Sequence, residues 1–151
     1  VFTDVVAGLS ARLAAIVDAL PLRPGMRVLE IGGAPGAAAK AVAHRVGDGH
    51  VLVVDRSARG VALIERNAAG EIDAGLLSVR CVAIEDFALE PGEARFDIAF
   101  AVRVGAFDGR HPRAGVLAKS RVAAVLAPGG RLYIDGGDPL KEIHLDTCPS
   151  E

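Results

Sequence analysis

The residues with chemistry to offer gather in two short places. Glu30, Gly32 and Gly36 fall within RVLEIGGAPG, residues 27–36, where an apolar strand meets a carboxylate and then a glycine-rich bend. Asp55 closes a second apolar run, HVLVVD, at 50–55. A glycine bend after a strand lets backbone N–H groups approach a ligand, and the helix that follows adds unpaired N–H donors and a partial positive charge. Such a loop can seat a pyrophosphate, with the fingerprint GxGxxG. Here that frame holds Gly32, Ala34 and Ala37, so only its first glycine is present. Glu30 also opposes a phosphate, by on the order of 4 kcal/mol at about 4 Å and an effective dielectric of about 20. A ligand carrying both an ammonium and a carboxylate reverses that sign. Its amino group would meet Glu30, and its carboxylate the N–H groups of the loop.

The surrounding sequence predicts the elements that hold these groups. Leu9, Leu13, Ile16, Val17 and Leu20 recur at helical spacing, with Thr3 or Asp4 as the expected N-cap, and PLRPG at 21–25 ends that helix. MRVLEI reads as a buried strand, GAAAKAVAHRV as a helix of small residues that can pack close to a sheet, and GDG at 47–49 as its stop. The unit then repeats. HVLVVD is a second strand, and a helix from Ser57 carries Val61, Ile64 and Ala68 on one face. LLSVRCVAI at 76–84 and FDIAFAV at 96–102 are the third and fourth strands. Pro112 suits a first helical turn, Ala118, Val122, Val125 and Leu126 mark an inward face, and RLYID at 131–135 follows APGG as a fifth strand. RVGAFDGRH at 103–111 shows no helical period. Apolar strands alternating with amphipathic helices predict an open, doubly wound parallel α/β sheet of about five strands with helices on both faces. The expected organisation is one domain over 1–151: an N-terminal helix within 1–22, a core over 26–137 and a short tail over 138–151.

Composition narrows the class. The chain has 151 residues, 51% of them hydrophobic and 4% aromatic, with no tryptophan. That is enough for one well-cored domain and excludes a disordered chain. A net charge of −2 speaks against nucleic acid or anionic lipid as a partner. Cys81 and Cys148 form no CxxC pair, which predicts a reducing, cytoplasmic setting. No run of apolar residues reaches membrane-spanning length, so no membrane association is expected.

S-adenosylmethionine has the required ammonium and carboxylate, together with a sulfonium and no phosphate. VLEIGGAPG resembles motif I of the class I (Rossmann-like) S-adenosylmethionine-dependent methyltransferases, VL-[DE]-x-G-x-G-x-G. Further segments follow in that family's order: Asp55 at the end of the second strand, AIEDF at 83–87, and LAPGGRLYID at 126–135. The resemblance implies that Glu30, Gly32, Gly33, Ala34 and Gly36 hold the methionine moiety and that Asp55 accepts the ribose hydroxyls. It implies Arg56 beside the adenosine, Ile84 and Glu85 along adenine, Asp86 or a neighbouring backbone group at the exocyclic amine, and Ala101 and Val102 below the sulfonium. S-adenosylhomocysteine would be the product.

Two departures stand out. Ala34 replaces a glycine, at a penalty of about 1–2 kcal/mol if that residue needs positive φ and none if it needs only a small side chain. Past strand five only GGDPLKEIHLDTCPSE remains, so the family's C-terminal antiparallel strands are expected to be missing. Strand five would then be an edge, bare or covered by the tail or a second subunit, and a homodimer is expected on that ground. No catalytic group is assigned. His111, Asp108, Asp135, Asp138 and His144 are the candidate bases, and the spacing His144, Asp146, Cys148 is read as no metal site. The fourth strand lacks both the [DN]-PP-[YF] tetrad of amino-group methyltransferases and the aspartate of the ribose methyltransferases whose loop this one resembles. The expected function is methyl transfer to a small-molecule acceptor. The alternatives are a SAM-binding protein without transfer and a nicotinamide-dependent oxidoreductase.

Overall fold

Ser10 starts the first helix of the computed structural model, which describes residues 9–145. Its Oγ accepts the N–H of Leu13 at 3.1 Å at the head of α1 (Ala11–Ala19). Thr3 and Asp4, the expected caps, lie outside the described residues. There follow β1 (Arg27–Ile31), α2 (Ala37–Val46), β2 (His50–Asp55), α3 (Ala58–Asn67), the short α4 (Ala69–Asp73) and β3 (Leu77–Cys81). A 3-10 turn (Ile84–Asp86), β4 (Phe96–Ala101), α5 (Pro112–Val125), β5 (Leu126–Asp135) and β6 (Leu140–Ile143) complete the order.

The six strands run β3-β2-β1-β4-β5-β6, with every pairing parallel except β5 with β6. Alternation along β1 decides which side chain meets which layer. Val28 joins the core under α1 and α2, with Val42, Val46, Val53 and Phe100. Leu29 and Ile31 join the opposite core under α5, with Phe87, Phe96, Val122 and Leu132. Both faces are therefore covered, as the near-continuous apolar strands require. In α2, Ala38, Ala39, Ala41 and Ala43 are buried, so the helix lies close on the sheet. The strand order reverses between β1 and β4, which makes the loops after those two strands the expected ligand crevice of an open α/β sheet.

The expectation of five strands with no antiparallel partner is corrected by β6. The residues Gly136, Gly137, Asp138 and Pro139 turn the chain back, with Gly136 at φ 131°, and Leu140–Ile143 pairs antiparallel with Leu132–Asp135. A glycine-rich turn this short is a hairpin connection, and it needs far less chain than a helix and a strand pair. The tail thus covers the edge of β5. A second departure is local: pairing of β4 with β5 jumps from Phe96–Leu126 to Ile98–Arg131, so Ala127-Pro-Gly-Gly130 bulges from a strand that was expected to begin at Arg131. Among the described residues no helix is long and apolar enough to cross a membrane.

Phe96 is fully buried, tilted against Phe87 at 6.4 Å between ring centroids, with the Arg27 guanidinium 5.1 Å from its own ring centre. Phe96→Ala is expected to lower unfolding free energy by about 3–5 kcal/mol. Urea melts would show this as a fall in midpoint at unchanged slope, and a loss below about 1 kcal/mol would mean that the layer under α5 repacks.

Candidate functional site

β1 delivers Glu30 to the face under α2, and the chain then folds back over it. Gly32 (φ 69°) donates its N–H to the Val54 carbonyl at 2.8 Å, tying the bend to β2. Gly33 lies directly over the Glu30 side chain: a Cβ there would come within 2.6 Å of Val53 Cγ1 and 2.8 Å of Glu30 Cδ. Only glycine allows that approach. Gly36 (φ 103°) closes the bend, donating to the Gly33 carbonyl at 2.7 Å, and serves as N-cap of α2. Having no side chain, it leaves the first N–H groups of α2 without a side-chain cap. Ala34 is not in the left-handed region, so the alanine departure carries no φ strain.

The Glu30 carboxylate is the unusual group here. It is 3% exposed, and its Oε2 has no hydrogen-bond partner. Burial, and after it the charge of Asp55, pushes its pKa from the ordinary 4.5 up to about 8. Asp55 is 8% exposed but well partnered: Oδ2 accepts from Ala34 N at 3.3 Å and Oδ1 from Ser57 N at 2.9 Å. It thereby fastens the glycine loop to β2 and to the start of α3. Asn67 braces the same loop from the far end of α3, its Nδ2 donating to the Pro35 carbonyl at 3.0 Å.

Two cavities open at the ends of β1 and β4. The first, about 350 Å³, lies between Ser10 and Arg12 of the α1 end, Glu30, the glycine loop, the start of α2 and Val102. The second, about 490 Å³, lies between Arg56, the segment Val82–Glu85 and the loop from Arg103 to His111. Gly32 and Arg103 line both. Arg103 has φ 57°, the sole non-glycine residue with positive φ among those described, and its N–H donates to Asp135 Oδ1 at 2.9 Å. The other oxygen of Asp135 pairs with Arg12 at 2.7 Å. One carboxylate on β5 therefore ties α1 to the turn after β4. The arrangement offers an acid beneath a loop, open N–H donors beside it, and next door a slot lined by both apolar and basic side chains.

The family model described as "Methyltransferase domain" matches residues 28–130. The chain belongs to the methyltransferase domain family. No curated protein matches it in sequence. Among solved structures it is similar to phosphoethanolamine N-methyltransferase 2 of Haemonchus contortus, solved with S-adenosyl-L-methionine, at 27% identity over 82% of this chain and 27% of that one (TM-score 0.65). It is similar to the CcbJ methyltransferase of Streptomyces caelestis at 23% identity, over 88% of this chain and 54% of that one (TM-score 0.66). It is similar too to the [4+2]-cyclase SpnF at 22% identity, over 81% and 42% (TM-score 0.65). This methyltransferase domain spans between about a quarter and about half of those chains.

Of the expected site residues, Glu30, Gly32, Gly33, Ala34 and Val102 come together on the first cavity, and Arg56, Ile84 and Glu85 on the second. Gly36, Asp55, Asp86 and Ala101 line neither. Gly36 faces Ile64, Asp55 holds the loop, Asp86 ends the 3-10 turn and Ala101 is buried at the end of β4. Of the candidate bases, His111 alone lines a cavity, and at the N-cap of α5 its side chain makes no capping bond. Asp108 pairs with Arg110, Asp135 is engaged as above, and Asp138 and His144 are exposed. Asp146 and Cys148 lie outside the described residues. Arg12 and Arg103 were not anticipated; the lone signal for Arg103 was its place just after the fourth strand.

Folded Glu30 keeps its proton to about pH 8, whereas unfolding returns it to 4.5. Its contribution to stability is therefore complete below about pH 4.5 and is lost as pH rises through 8. Above that range the loss is on the order of 3 kcal/mol or more. Glu30→Gln removes the penalty, so at pH 8.5 it is expected to melt higher than the parent by ~6 °C or more, with the gap closing toward pH 5. Thermal melts across that range check this. Parallel curves would mean that Glu30 is solvated in solution.

Proposed function

We propose that this domain binds S-adenosylmethionine and transfers its methyl group to a small-molecule acceptor, releasing S-adenosylhomocysteine. The observation that carries the reading is the unpartnered Glu30 Oε2 beneath Gly33, a buried acid facing a cavity that also holds the uncapped start of α2. An α-amino group would satisfy Glu30, and the N–H groups of Ala37 and Ala38 would take the carboxylate. The adenosine would lie in the second cavity, along Ile84 and Glu85 and flanked by Arg56. A backbone group of the 3-10 turn, rather than the Asp86 carboxylate, would meet the adenine amine. Asp55 would accept the ribose hydroxyls with the lone pairs its two backbone partners leave free. Ala101 and Val102 would sit below the sulfonium.

When bound, the cofactor supplies a methyl carbon activated by its sulfonium. The chain supplies position, and alignment alone can lower such a barrier by up to roughly 7–11 kcal/mol. Where the acceptor carries a proton to lose, His111 is the base we favour, because it stands on a cavity wall with its ring free of any capping bond. On the same reading the protein is cytoplasmic and its acceptor is not nucleic acid, given the acidic balance. Because β6 covers the edge of β5, a homodimer would have to form along β6 or elsewhere. Binding without transfer is the second reading, since one fold hosts several chemistries and a structure of the same fold is named a cyclase. The nicotinamide reading is disfavoured by Glu30 under the loop.

Calorimetric titration with SAM, S-adenosylhomocysteine and NAD tests this. The two adenosyl ligands are expected to bind and NAD to fail. Near pH 7 the ammonium would draw the proton off Glu30, so SAM binding should release more protons in the parent than in Glu30→Gln. Glu30→Gln and Asp55→Ala should each weaken SAM at least about tenfold, which is ~1.4 kcal/mol. Undiminished SAM affinity in Glu30→Gln would remove the basis for the proposal.

A further inference from the structure

The acid of this site lies underneath, and its rim is basic. Arg12 overlooks the first cavity, Arg56, Arg110 and His111 overlook the second, and Arg103 borders both. Such a concentration is unexpected in a chain of net charge −2. The carboxylates among these residues are largely committed: Asp135 to Arg12 and to the Arg103 N–H, and Asp108 to Arg110. Glu85 remains, on the adenine wall of the second cavity. Among the described residues the Arg103 side chain has no ion-pair partner.

Arg103 is also held in an expensive way. At φ 57° it occupies the region that favours glycine, and the Asp135 carboxylate fixes its N–H there. A strained residue at the junction of two cavities, kept in place by the half-buried Asp135, is the kind of outlier that points to function rather than to packing. The side chain itself is exposed, so burial does not explain the conformation. If methionine and adenosine occupy the first and second cavities, the sulfonium falls at their junction, beside Gly32 and Arg103. A guanidinium and a sulfonium at one place repel each other. An anionic group brought in by the acceptor would relieve that repulsion, and a guanidinium binds a carboxylate or a phosphate through two parallel N–H donors.

We infer that Arg103 determines acceptor specificity by binding an anionic group of the methyl acceptor, so that the substrate is a small organic carboxylate or phosphate. This rests on the reading of the two cavities as the SAM site and names the acceptor class for it. Arg103 acts by positioning the acceptor over the methyl carbon. It takes no proton and forms no covalent bond, and His111, on the wall of the same second cavity, stays available as base.

The experiment uses the full chain saturated with S-adenosylhomocysteine, titrated by ligand-observed NMR with benzoate, phenyl phosphate and benzamide. At least one of the two anions should bind at least tenfold more tightly than benzamide, and which one does so distinguishes a carboxylate acceptor from a phosphate. Arg103→Gln should abolish that preference while S-adenosylhomocysteine affinity changes less than twofold. Arg103→Gly should do the same and melt higher than the parent, because it relieves the positive φ. Equal binding of benzamide and both anions, no anion binding, or an anion preference that survives both substitutions would overturn the inference. So would a tenfold loss of S-adenosylhomocysteine affinity in Arg103→Gln, which would assign the guanidinium to the cofactor's own carboxylate. If the parent fails to bind S-adenosylhomocysteine, the SAM reading falls and this inference with it. If it binds and only the anion preference is missing, the SAM reading stands.

Discussion

Everything at the ligand end of the sheet is arranged around a carboxylate buried without a partner. Glu30 occupies a position on β1 where its register neighbours are Val53 and Phe100, both apolar. An ionised side chain there loses its hydration and gains nothing from those neighbours, which is why it holds a proton to about pH 8. The glycine loop then closes over it at a distance that no Cβ at residue 33 would permit. A partner for Glu30 would therefore have to come from the cavity, and a cationic donor there would be the one that recovers the carboxylate form. On the proposed reading this single unfavourable burial would favour an ammonium over a phosphate more firmly than the number of glycines does.

The rest of the fold compensates for that penalty. Asp55 holds the loop through the Ala34 N–H and the start of α3 through the Ser57 N–H, and Asn67 holds the loop's far side. The alanines of α2 let the helix approach close enough to bring its first N–H groups to the same cavity. The two layers of core on either side of β1, built on Val28 with Phe100 and on Leu29 with Phe96, keep the strand from moving away. The strand order places all of this where β1 and β4 diverge. Acid below, N–H donors beside and guanidinium groups above give the crevice a polarity across its depth. An ammonium that drew the proton off Glu30 would complete that polarity, with the ligand's carboxylate turned toward the N–H donors.

What could be read in the sequence follows from how local each signal is. The parallel sheet was legible because the strands are short, mostly apolar runs, and those of β1, β2 and β5 are closed by a glycine or an acid. The loop was legible because Glu30, Gly32 and Gly36 sit within seven residues. Asp55 was found, but its backbone partners were not, since Ala34 and Ser57 approach it only through the tertiary fold. The contact of Arg12 with Asp135 spans 123 positions and leaves no local trace. The loop from Arg103 to His111 has no hydrophobic period, so neither its path nor the positive φ of Arg103 could be anticipated. The strand β6 is four residues long, and its register depends on the turn at Gly136 rather than on a repeating pattern.

Ala34 shows how a departure from a motif is judged by geometry and not by the count of matches. The bend needs left-handed backbone at Gly32 and Gly36, and both are glycine; it does not need it at residue 34. What residue 34 does need is a small side chain and an N–H to give to Asp55. A Cβ built on Gly60, in the first turn of α3, would lie 3.2 Å from the Ala34 Cβ and 3.1 Å from Asp55 Oδ1, so α3 and the loop are already in near contact. A larger residue at 34 would push α3 away and break the bonds by which Asp55 holds both. Alanine keeps them, and its methyl group fills the space between the loop and Gly60. The loop's rigidity thus comes from the β2 acid and the α3 glycine as much as from its own glycines, and an alanine fits at residue 34 because residue 60, facing it, has no side chain.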